Sequence, residues 1–340
     1  FIKAGNVEKL TQSLQKAVPN NSRSSLKVSV VPSVDGRIKV EIQNLTTALQ
    51  EGKIVVAGKN IPYSVPASKA QELDIPGEVF KPEFGKLYTW DNSIKVVPAS
   101  GSGETIVWDM AYLYAPEVSG KPDWSKIPAV KMGNHYYSKK YKGTKPQNDL
   151  KASLKVAWDK DNLYLLLEAE DDNFVLSPQN WKRGVADTCL YIHDGCLEVY
   201  IDTGADGRSN HSKDFDDNDY RFDFSIGKNG ISGPGMVYRL REVDKQLAQG
   251  LNMPTKEEAA KNIINNFTVT PKGYIYEITF PKRYISPLNL RKGTISGFAL
   301  YLHDKDNNET VGCPKGLSMA TRKGSHCDHK PHLWPLLILK

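Results

Sequence analysis

Apolar and polar residues alternate with a period of two along much of the chain, which is typical of strands that bury one face. The segments LKVSVVPSV and GRIKVEIQNL show this alternation and are joined at Asp35-Gly36, a dipeptide that favours a hairpin turn. Further short strands are predicted in GKIVVAG, FGKLYTW, SIKVVPA and ETIVWDMAYLYA. Because Gly, Pro and Asn separate these strands, the pattern predicts a small β-sandwich of the immunoglobulin type.

Two helices are predicted. Near the start of the chain, Val7, Leu10, Leu14 and Val18 have helical spacing. We interpret residues 1–22 as a linker helix or as the tail of a preceding domain. The second segment, Thr255–Ile264, begins with Thr255 and Glu258 in the spacing of a capping box, which predicts a short helix.

The strongest strand signal lies between residues 154 and 203. Leu154–Trp158 and Leu163–Ala169 are β-rich, and the polar residues between them predict a tight turn. The run Leu163–Leu167 is apolar on both sides, so we expect a buried central strand.

Acidic residues follow the predicted strands, and strands that deliver carboxylates to one end of a sheet indicate a metal or ligand site there. Calcium takes six to eight oxygen ligands, which clustered aspartates can supply. The candidate calcium ligands are Asp171, Asp172, Asp202, Asp206, Asp214, Asp216, Asp217, Asp304 and Asp306. The alternative is a set of solvated loops.

Several of these segments carry a resemblance to a known family. The segments are EVSGKPDWSKIPAV, the hairpin with DNLYL, CLEVYID, DDNDYRFDF, GYIYEITFP, GFALYLHDKDN and HLWPLLILK. In this order they resemble the family 9 carbohydrate-binding modules over about Tyr112 to Lys340. The resemblance implies a β-sandwich that binds sugars and holds structural calcium.

The resemblance also implies positions for the sugar site. Glu198 and Arg221 fall on a binding carboxylate and a binding arginine of the family, and the two-residue period places each on the outward face of its strand. The alternative for this pair is an exposed cross-strand ion pair, which contributes little. A sugar also needs aromatic and polar neighbours. The candidates are Trp181 in a polar loop, Tyr191 and His193 where the family usually has Trp, and Tyr301.

The four cysteines form two pairs that are close in sequence, Cys189 with Cys196 and Cys313 with Cys327. Of the three pairings that four cysteines allow, this local one is the simplest, and four buried thiols are the alternative. Disulfides would indicate a secreted, cell-surface or periplasmic location. Histidines near Cys327 leave zinc open as well, but the usual C-x-x-C spacing is missing.

Length and composition narrow the function. A chain of 340 residues exceeds the usual size of one core, and we predict an immunoglobulin-like sandwich over 23–114 and a carbohydrate-binding sandwich over 115–340. The net charge of +6 is mixed along the chain, which argues against a nucleic-acid partner, and no apolar run reaches membrane-spanning length. The common catalytic motifs are missing from the sequence.

The fold class predicted is therefore all-β with two sandwiches. The predicted function is non-catalytic binding of oligo- or polysaccharide, as an accessory region of a larger secreted carbohydrate-active protein. Two alternatives remain open. One is a haem-binding electron-transfer domain with Met236 or Met253 as axial ligand, and the other is a structural module without ligand.

Overall fold

The computed structural model describes residues 25–32, 38–56, 58–75, 85–86, 88–89, 94–99, 106–108, 111–132, 135–137, 150–172, 174, 196–205, 218–224, 236–239, 256–304, 315–320, 327 and 330–340. Within these residues the chain is built almost entirely of strands, which confirms the all-β prediction. The strands are, in chain order, β1 (Leu26–Pro32), β2 (Ile38–Asn44), β3 (Gln50–Val56), β4 (Lys59–Val65), β5 (Ala70–Ile75), β6 (Tyr88–Thr89), β7 (Ile94–Pro98), β8 (Ile106–Trp108), β9 (Ala111–Ala115), β10 (Val130–Met132), β11 (His135–Tyr137), β12 (Leu150–Trp158), β13 (Asn162–Asp171), β14 (Leu197–Asp202), β15 (Asp219–Phe224), β16 (Met236–Arg239), β17 (Ile264–Thr270), β18 (Gly273–Pro281), β19 (Ile295–Asp304), β20 (Lys315–Ser318) and β21 (Leu336–Leu339).

Two small sheets form the N-terminal part of the molecule. One has the strand order β1-β2-β5 and the other β4-β3-β7-β8. The predicted hairpin of β1 and β2 is confirmed, with Leu26 opposite Asn44 and Pro32 opposite Ile38. Alternate residues of these strands, such as Val40, Ile54 and Val96, are buried in a shared core.

Two larger sheets follow. The five-stranded sheet has the order β10-β12-β13-β18-β17. The nine-stranded sheet runs β16-β15-β14-β19-β21-β9-β6, and it also includes β20, which pairs with β19 and β11. Their inner faces pack together in one core, in which the Phe222 ring contacts the Phe280 ring of the other sheet at a centroid distance of 4.9 Å. This packing is a β-sandwich.

The predicted central hairpin is confirmed as β12 and β13. Trp158 lies opposite Leu163, and Asp159 organises the turn between them. Its Oδ1 accepts hydrogen bonds from the backbone N–H groups of Asp161 and Asn162, at 2.8 and 2.7 Å. Both strands of the hairpin bury most of their residues. They lie inside the five-stranded sheet, with β13 at its centre.

Strand β9 joins the N-terminal part to the sandwich. It pairs in parallel with the C-terminal strand β21, inside the nine-stranded sheet. Tyr112 and Tyr114 lie in the N-terminal core, whereas Leu113 and Ala115 lie in the sandwich core. All five residues of β9 are therefore buried. The predicted division at residues 114 and 115 falls within this strand and stays a prediction.

The predicted second helix occurs as α1 (Lys256–Asn262). Its C-terminal end is two residues earlier than predicted, since Ile264 begins β17. Among the described residues, three short 3-10 helices lie at Trp124–Lys126, Lys282–Ile285 and Pro331–Leu333. The helix predicted before residue 22 lies outside the described residues. Among those described, no helix is long and apolar enough to cross a membrane.

Candidate functional site

One face of the nine-stranded sheet carries a group of buried polar side chains. On β14 the residues Leu197, Val199 and Ile201 belong to the sandwich core, as the two-residue period predicts. Glu198 has the opposite parity and lies on the other face of the sheet. It lies directly opposite Asp223 on β15 and Tyr301 on β19. These neighbours make Glu198 the centre of a polar group on three strands.

Both oxygens of Glu198 accept hydrogen bonds. Arg221 Nη2 donates to Oε1 at 2.6 Å, and the hydroxyl of Tyr200 donates to Oε2. His303 Nε2 lies 2.9 Å from Oε1 and donates to it in the Nε2-protonated tautomer. Arg221 Nε donates to Asp223 Oδ1 at 2.7 Å. We call the residues Glu198, Tyr200, Arg221, Asp223 and His303 the Glu198 cluster.

The Glu198 cluster is buried. Glu198 and Asp223 are 2% and 1% exposed, and the side chain of Arg221 is 11% exposed. Glu198 and Arg221 share the predicted face of the sheet, but Glu198 is buried on that face and not exposed. The ion pair is therefore also unlike an exposed surface pair. Removing one partner of a buried pair leaves an uncompensated charge, which is far more costly.

Burial and charge shift the titration of these groups in different directions. Burial alone would raise the pKa of Glu198, but Arg221, His303 and the hydrogen bond from Tyr200 outweigh it and hold the pKa below its usual range. Burial would lower the pKa of Arg221, but Glu198 raises it. For Asp223, burial and the charge of Glu198 raise the pKa to about 7, against the opposing effect of Arg221. The network therefore favours one ionised carboxylate on Glu198 and holds a proton more tightly on Asp223.

Aromatic rings surround this cluster. Tyr301 is fully buried, and its ring meets that of His303 edge-on at a centroid distance of 4.6 Å. Trp334 lies against Tyr200 at 5.2 Å and is itself buried, with its indole N–H bonded to the Cys327 carbonyl. Trp158 also packs in the sandwich core. The predicted sugar-facing residues Trp181, Tyr191 and His193 lie outside the described residues.

The four predicted calcium ligands that the structure describes do not meet at one end of one sheet. Asp171 and Asp172 lie at the end of β13 in the five-stranded sheet, whereas Asp202 ends β14 in the nine-stranded sheet. Asp202 is opposite Gly297, near the start of β19, and Asp304 is the last residue of that strand. At about 3.3 Å per residue, these two positions are about 23 Å apart. Strands β14 and β19 are antiparallel, so their C-terminal ends are at opposite edges.

The remaining predicted ligands, Asp206, Asp214, Asp216, Asp217 and Asp306, lie outside the described residues. Within the described part of the chain, no group of three or more His, Cys, Asp or Glu side chains is arranged to hold a metal ion. The structure does bring Asp202 opposite Asp219, the last aspartate of the same acidic segment. Both are buried, at 2% and 1% exposure.

Each predicted cysteine pair has one member outside the described residues, Cys189 and Cys313 respectively. Their partners are buried. Cys327 Sγ donates to the Leu300 carbonyl at 3.4 Å, and burial raises the pKa of the Cys196 thiol. No disulfide occurs among the residues that the structure describes. Both pairings therefore stay predictions.

Sequence reasoning missed Asp223 and His303 as members of the site. The two-residue period already placed Asp223 beside Arg221, so its partner was visible in the sequence. His303 has the same parity as Tyr301, but the pairing of β19 with β14 joins segments about 100 residues apart in sequence. No local pattern indicates such a register.

The comparison with protein families identifies the family to which the chain belongs. The model of the family described as carbohydrate family 9 binding domain-like matches residues 120–322. No curated protein matches the sequence. Among solved structures, a carbohydrate-binding module of family 9 from Caldicellulosiruptor kristjanssonii in complex with cellotriose is 17% identical, covers 67% of this chain and 92% of its own, and has a TM-score of 0.42. The same organism's module in complex with glucose is also 17% identical, covers 67% of this chain and 95% of its own, and has a TM-score of 0.42. Since the family model spans more than half of the sequence, the chain belongs to the carbohydrate family 9 binding domain-like family.

Proposed function

We propose that the Glu198 cluster forms part of the sugar-binding site, and that the chain is a non-catalytic accessory region of a larger secreted carbohydrate-active protein. The observation that carries the site is the Glu198–Arg221 ion pair at 2.6 Å, on the polar face of the family's sandwich. Glu198 supplies acceptors for sugar hydroxyls and Arg221 supplies donors.

The hydrogen-bond capacity of Glu198 supports this role. A carboxylate offers about four acceptor sites. Among the described residues, Arg221, His303 and Tyr200 use three of them. Its acceptor capacity therefore exceeds these three bonds. A sugar hydroxyl that bonds to this carboxylate would make a charge-assisted and strong hydrogen bond, because the donors around it hold the carboxylate ionised.

The test is calorimetry with glucose and cellotriose on the whole chain. Glu198→Gln and Arg221→Lys are better probes than alanine, because they keep much of the buried volume and part of the hydrogen bonding. We expect each to lose about 1–3 kcal/mol of binding free energy. Glu168→Gln is the matched control, since Glu168 is an exposed carboxylate on the five-stranded sheet. Equal affinities in all four proteins, with intact circular dichroism, would move the sugar site elsewhere.

The non-catalytic role has its own measurement. The chain should be retained on insoluble polysaccharide without release of reducing sugar. Steady release of reducing ends, above that of a heat-denatured sample, would show catalysis and contradict the proposal. If the chain is not retained and calorimetry also detects no binding, a structural module without ligand is the better description.

We also propose one structural calcium at the loop between β14 and β15. The loop is acidic, and its two ends bring Asp202 and Asp219 opposite each other. A Cβ added at Gly297 would lie 3.1 Å from Asp202 Oδ2, so this glycine leaves room for the carboxylate. Paired aspartates of this kind are oxygen donors that suit calcium, and Asp206, Asp214, Asp216 and Asp217 of the same loop are the further ligands proposed.

Calcium that binds only the folded chain would stabilise it. Thermal melts should therefore show a higher midpoint with calcium than with chelator, and Asp219→Asn should reduce the difference. An unchanged midpoint, together with no calcium in elemental analysis, would refute the calcium proposal and leave the sugar site untouched.

A further inference from the structure

Asp223 lies next to Glu198 and Arg221, the residues proposed to bind the sugar. It lies directly across from Glu198 on the neighbouring strand, and the guanidinium of Arg221 bonds to both carboxylates. The Nε–Oδ1 distance to Asp223 is 2.7 Å, and the Nη2–Oε1 distance to Glu198 is 2.6 Å. Two carboxylates that are 2% exposed or less thus share one arginine.

Arg221 is the most exposed of these three residues, at 11% of its side chain, while the side chains of Glu198 and Asp223 are at 3% and 2%. Asp223 bonds to the guanidinium at Nε, at 2.7 Å. Through this bond Asp223 acts on the orientation of the guanidinium, because a bond to Nε restricts rotation of the planar group.

We propose that Asp223 is a positioning residue of the sugar site, whose ionised carboxylate holds Arg221 against Glu198, so that sugar affinity rises when Asp223 loses its proton. This inference rests on the proposed sugar-binding function of the Glu198 cluster.

The charges around Asp223 explain why its protonation matters. The charged and titratable groups that face it among the described residues are Arg221 on its own strand, Glu198 on β14, His303 on β19 and the Cys196 thiol just before β14. With both carboxylates ionised, Arg221 can neutralise only one of the two negative charges, and one is in excess. Burial and Glu198 raise the pKa of Asp223 to about 7, so this excess charge appears near neutral pH.

Each protonation state has a different hydrogen bond to Arg221. When Asp223 is ionised, both the donor and the acceptor of its hydrogen bond with Arg221 are charged. A charge-assisted hydrogen bond is roughly twice as strong as a hydrogen bond between neutral groups. A protonated Asp223 keeps only a neutral acceptor for Nε, and the guanidinium gains rotational freedom. A ligand must then restrict that freedom on binding, which lowers affinity.

The experiment measures the affinity for glucose and cellotriose by calorimetry between pH 5.5 and 8.5, in the parent chain and in Asp223→Asn. The asparagine retains an oxygen that accepts from Nε, but it cannot titrate. We expect the parent to bind about fivefold more tightly at the upper end of this range, by the difference between charged and neutral hydrogen bonds. Asp223→Asn should bind with a nearly constant affinity. Glu168→Gln, which removes an exposed carboxylate from the opposite sheet, should retain the parent's slope.

Several outcomes would overturn the inference. If the parent binds sugar with an affinity that does not change with pH, the role of Asp223 is refuted, but the proposed sugar site is not. This measurement uses only the parent chain and does not depend on the folding of any variant. An equal slope in parent and Asp223→Asn also refutes the role of Asp223, because the slope then comes from another group. No binding by the parent at any pH rejects both the proposed sugar function and the inference. If Asp223→Asn does not fold, Asp223→Glu provides the second variant, and it should keep a pH-dependent affinity.

Discussion

Strand β21 contributes residues to both the N-terminal core and the sandwich core. We therefore predict that the unfolding of the N-terminal sheets and of the sandwich is coupled. Ile338 is fully buried and contributes to the N-terminal core, although its strand lies within the nine-stranded sheet. It is held between Tyr114 on β9 and Ile295 on β19. Ile338→Ala therefore removes three carbon atoms from a site with strands on both sides.

Substitutions of this kind cost about 2–5 kcal/mol, depending on how far the surroundings collapse into the cavity. Since β21 is fixed by hydrogen bonds to β9 and β19, we expect little collapse and a loss of about 3–5 kcal/mol. Leu337→Ala, which faces the sandwich core instead, should cost a similar amount. Both losses should appear in the same transition, because one strand serves both cores.

The assay is urea unfolding followed by far-ultraviolet circular dichroism. Leu45→Ala is the control, because Leu45 is 57% exposed and its removal should change the unfolding free energy by less than about 0.5 kcal/mol. A loss below about 1 kcal/mol for Ile338→Ala would show that the cavity cost was misjudged. A separate early transition in Ile338→Ala, with the main transition unchanged, would show that the N-terminal sheets fold independently and would refute the coupling.

Three further predictions concern the cluster and the cysteines. Arg221→Ala should cost about 3–5 kcal/mol of stability in denaturant titrations, because Glu198 and Asp223 then remain buried without their shared cation; a smaller loss than that of an exposed-residue control would contradict the buried pair. Asp223 has its pKa raised from 3.8 to about 7 by burial and by Glu198, so its favourable contribution is complete below pH 3.8 and is lost as the pH rises towards 7; melting curves across this range should show a smaller decline with rising pH in Asp223→Asn than in the parent. Mass spectrometry of non-reduced peptides should find Cys189 joined to Cys196 and Cys313 joined to Cys327, whereas four alkylatable thiols in the native chain would exclude both disulfides.

Much of the sheet structure could be predicted, because hairpins are local. The β1–β2 and β12–β13 hairpins follow from alternating apolar residues and short polar turns, and the structure confirms both. Strand β9 was predicted only as part of a longer strand, ETIVWDMAYLYA, whose residues belong to two strands in the structure, β8 and β9. Its parallel partner β21 is at the other end of the chain, and no local pattern reports a pairing of that kind.

The site was predictable in part for the same reason. Parity along β14 and β15 placed Glu198 and Arg221 on one face, and this holds. Burial was not predictable, because it depends on residues that cover the polar face, such as Trp334 against Tyr200. The aspartates at the strand ends were expected to lie close together, but this requires that their strands run in the same direction. Antiparallel neighbours send Asp202 and Asp304 to opposite edges of the same sheet.

The burial of the Glu198 cluster changes how a sugar would be recognised there. Charges in an open site lose water when the ligand arrives, whereas here Glu198 and Asp223 have already lost most of theirs on folding. The hydrogen bonds among Arg221, Glu198 and Asp223 offset that cost in the free protein. A sugar hydroxyl that reaches Arg221 therefore meets a side chain with little rotational freedom left to lose, and this preorganisation favours binding. A ligand without a hydroxyl at that point would leave a buried charged group short of a partner, so the cluster should discriminate between sugars more than it adds to affinity.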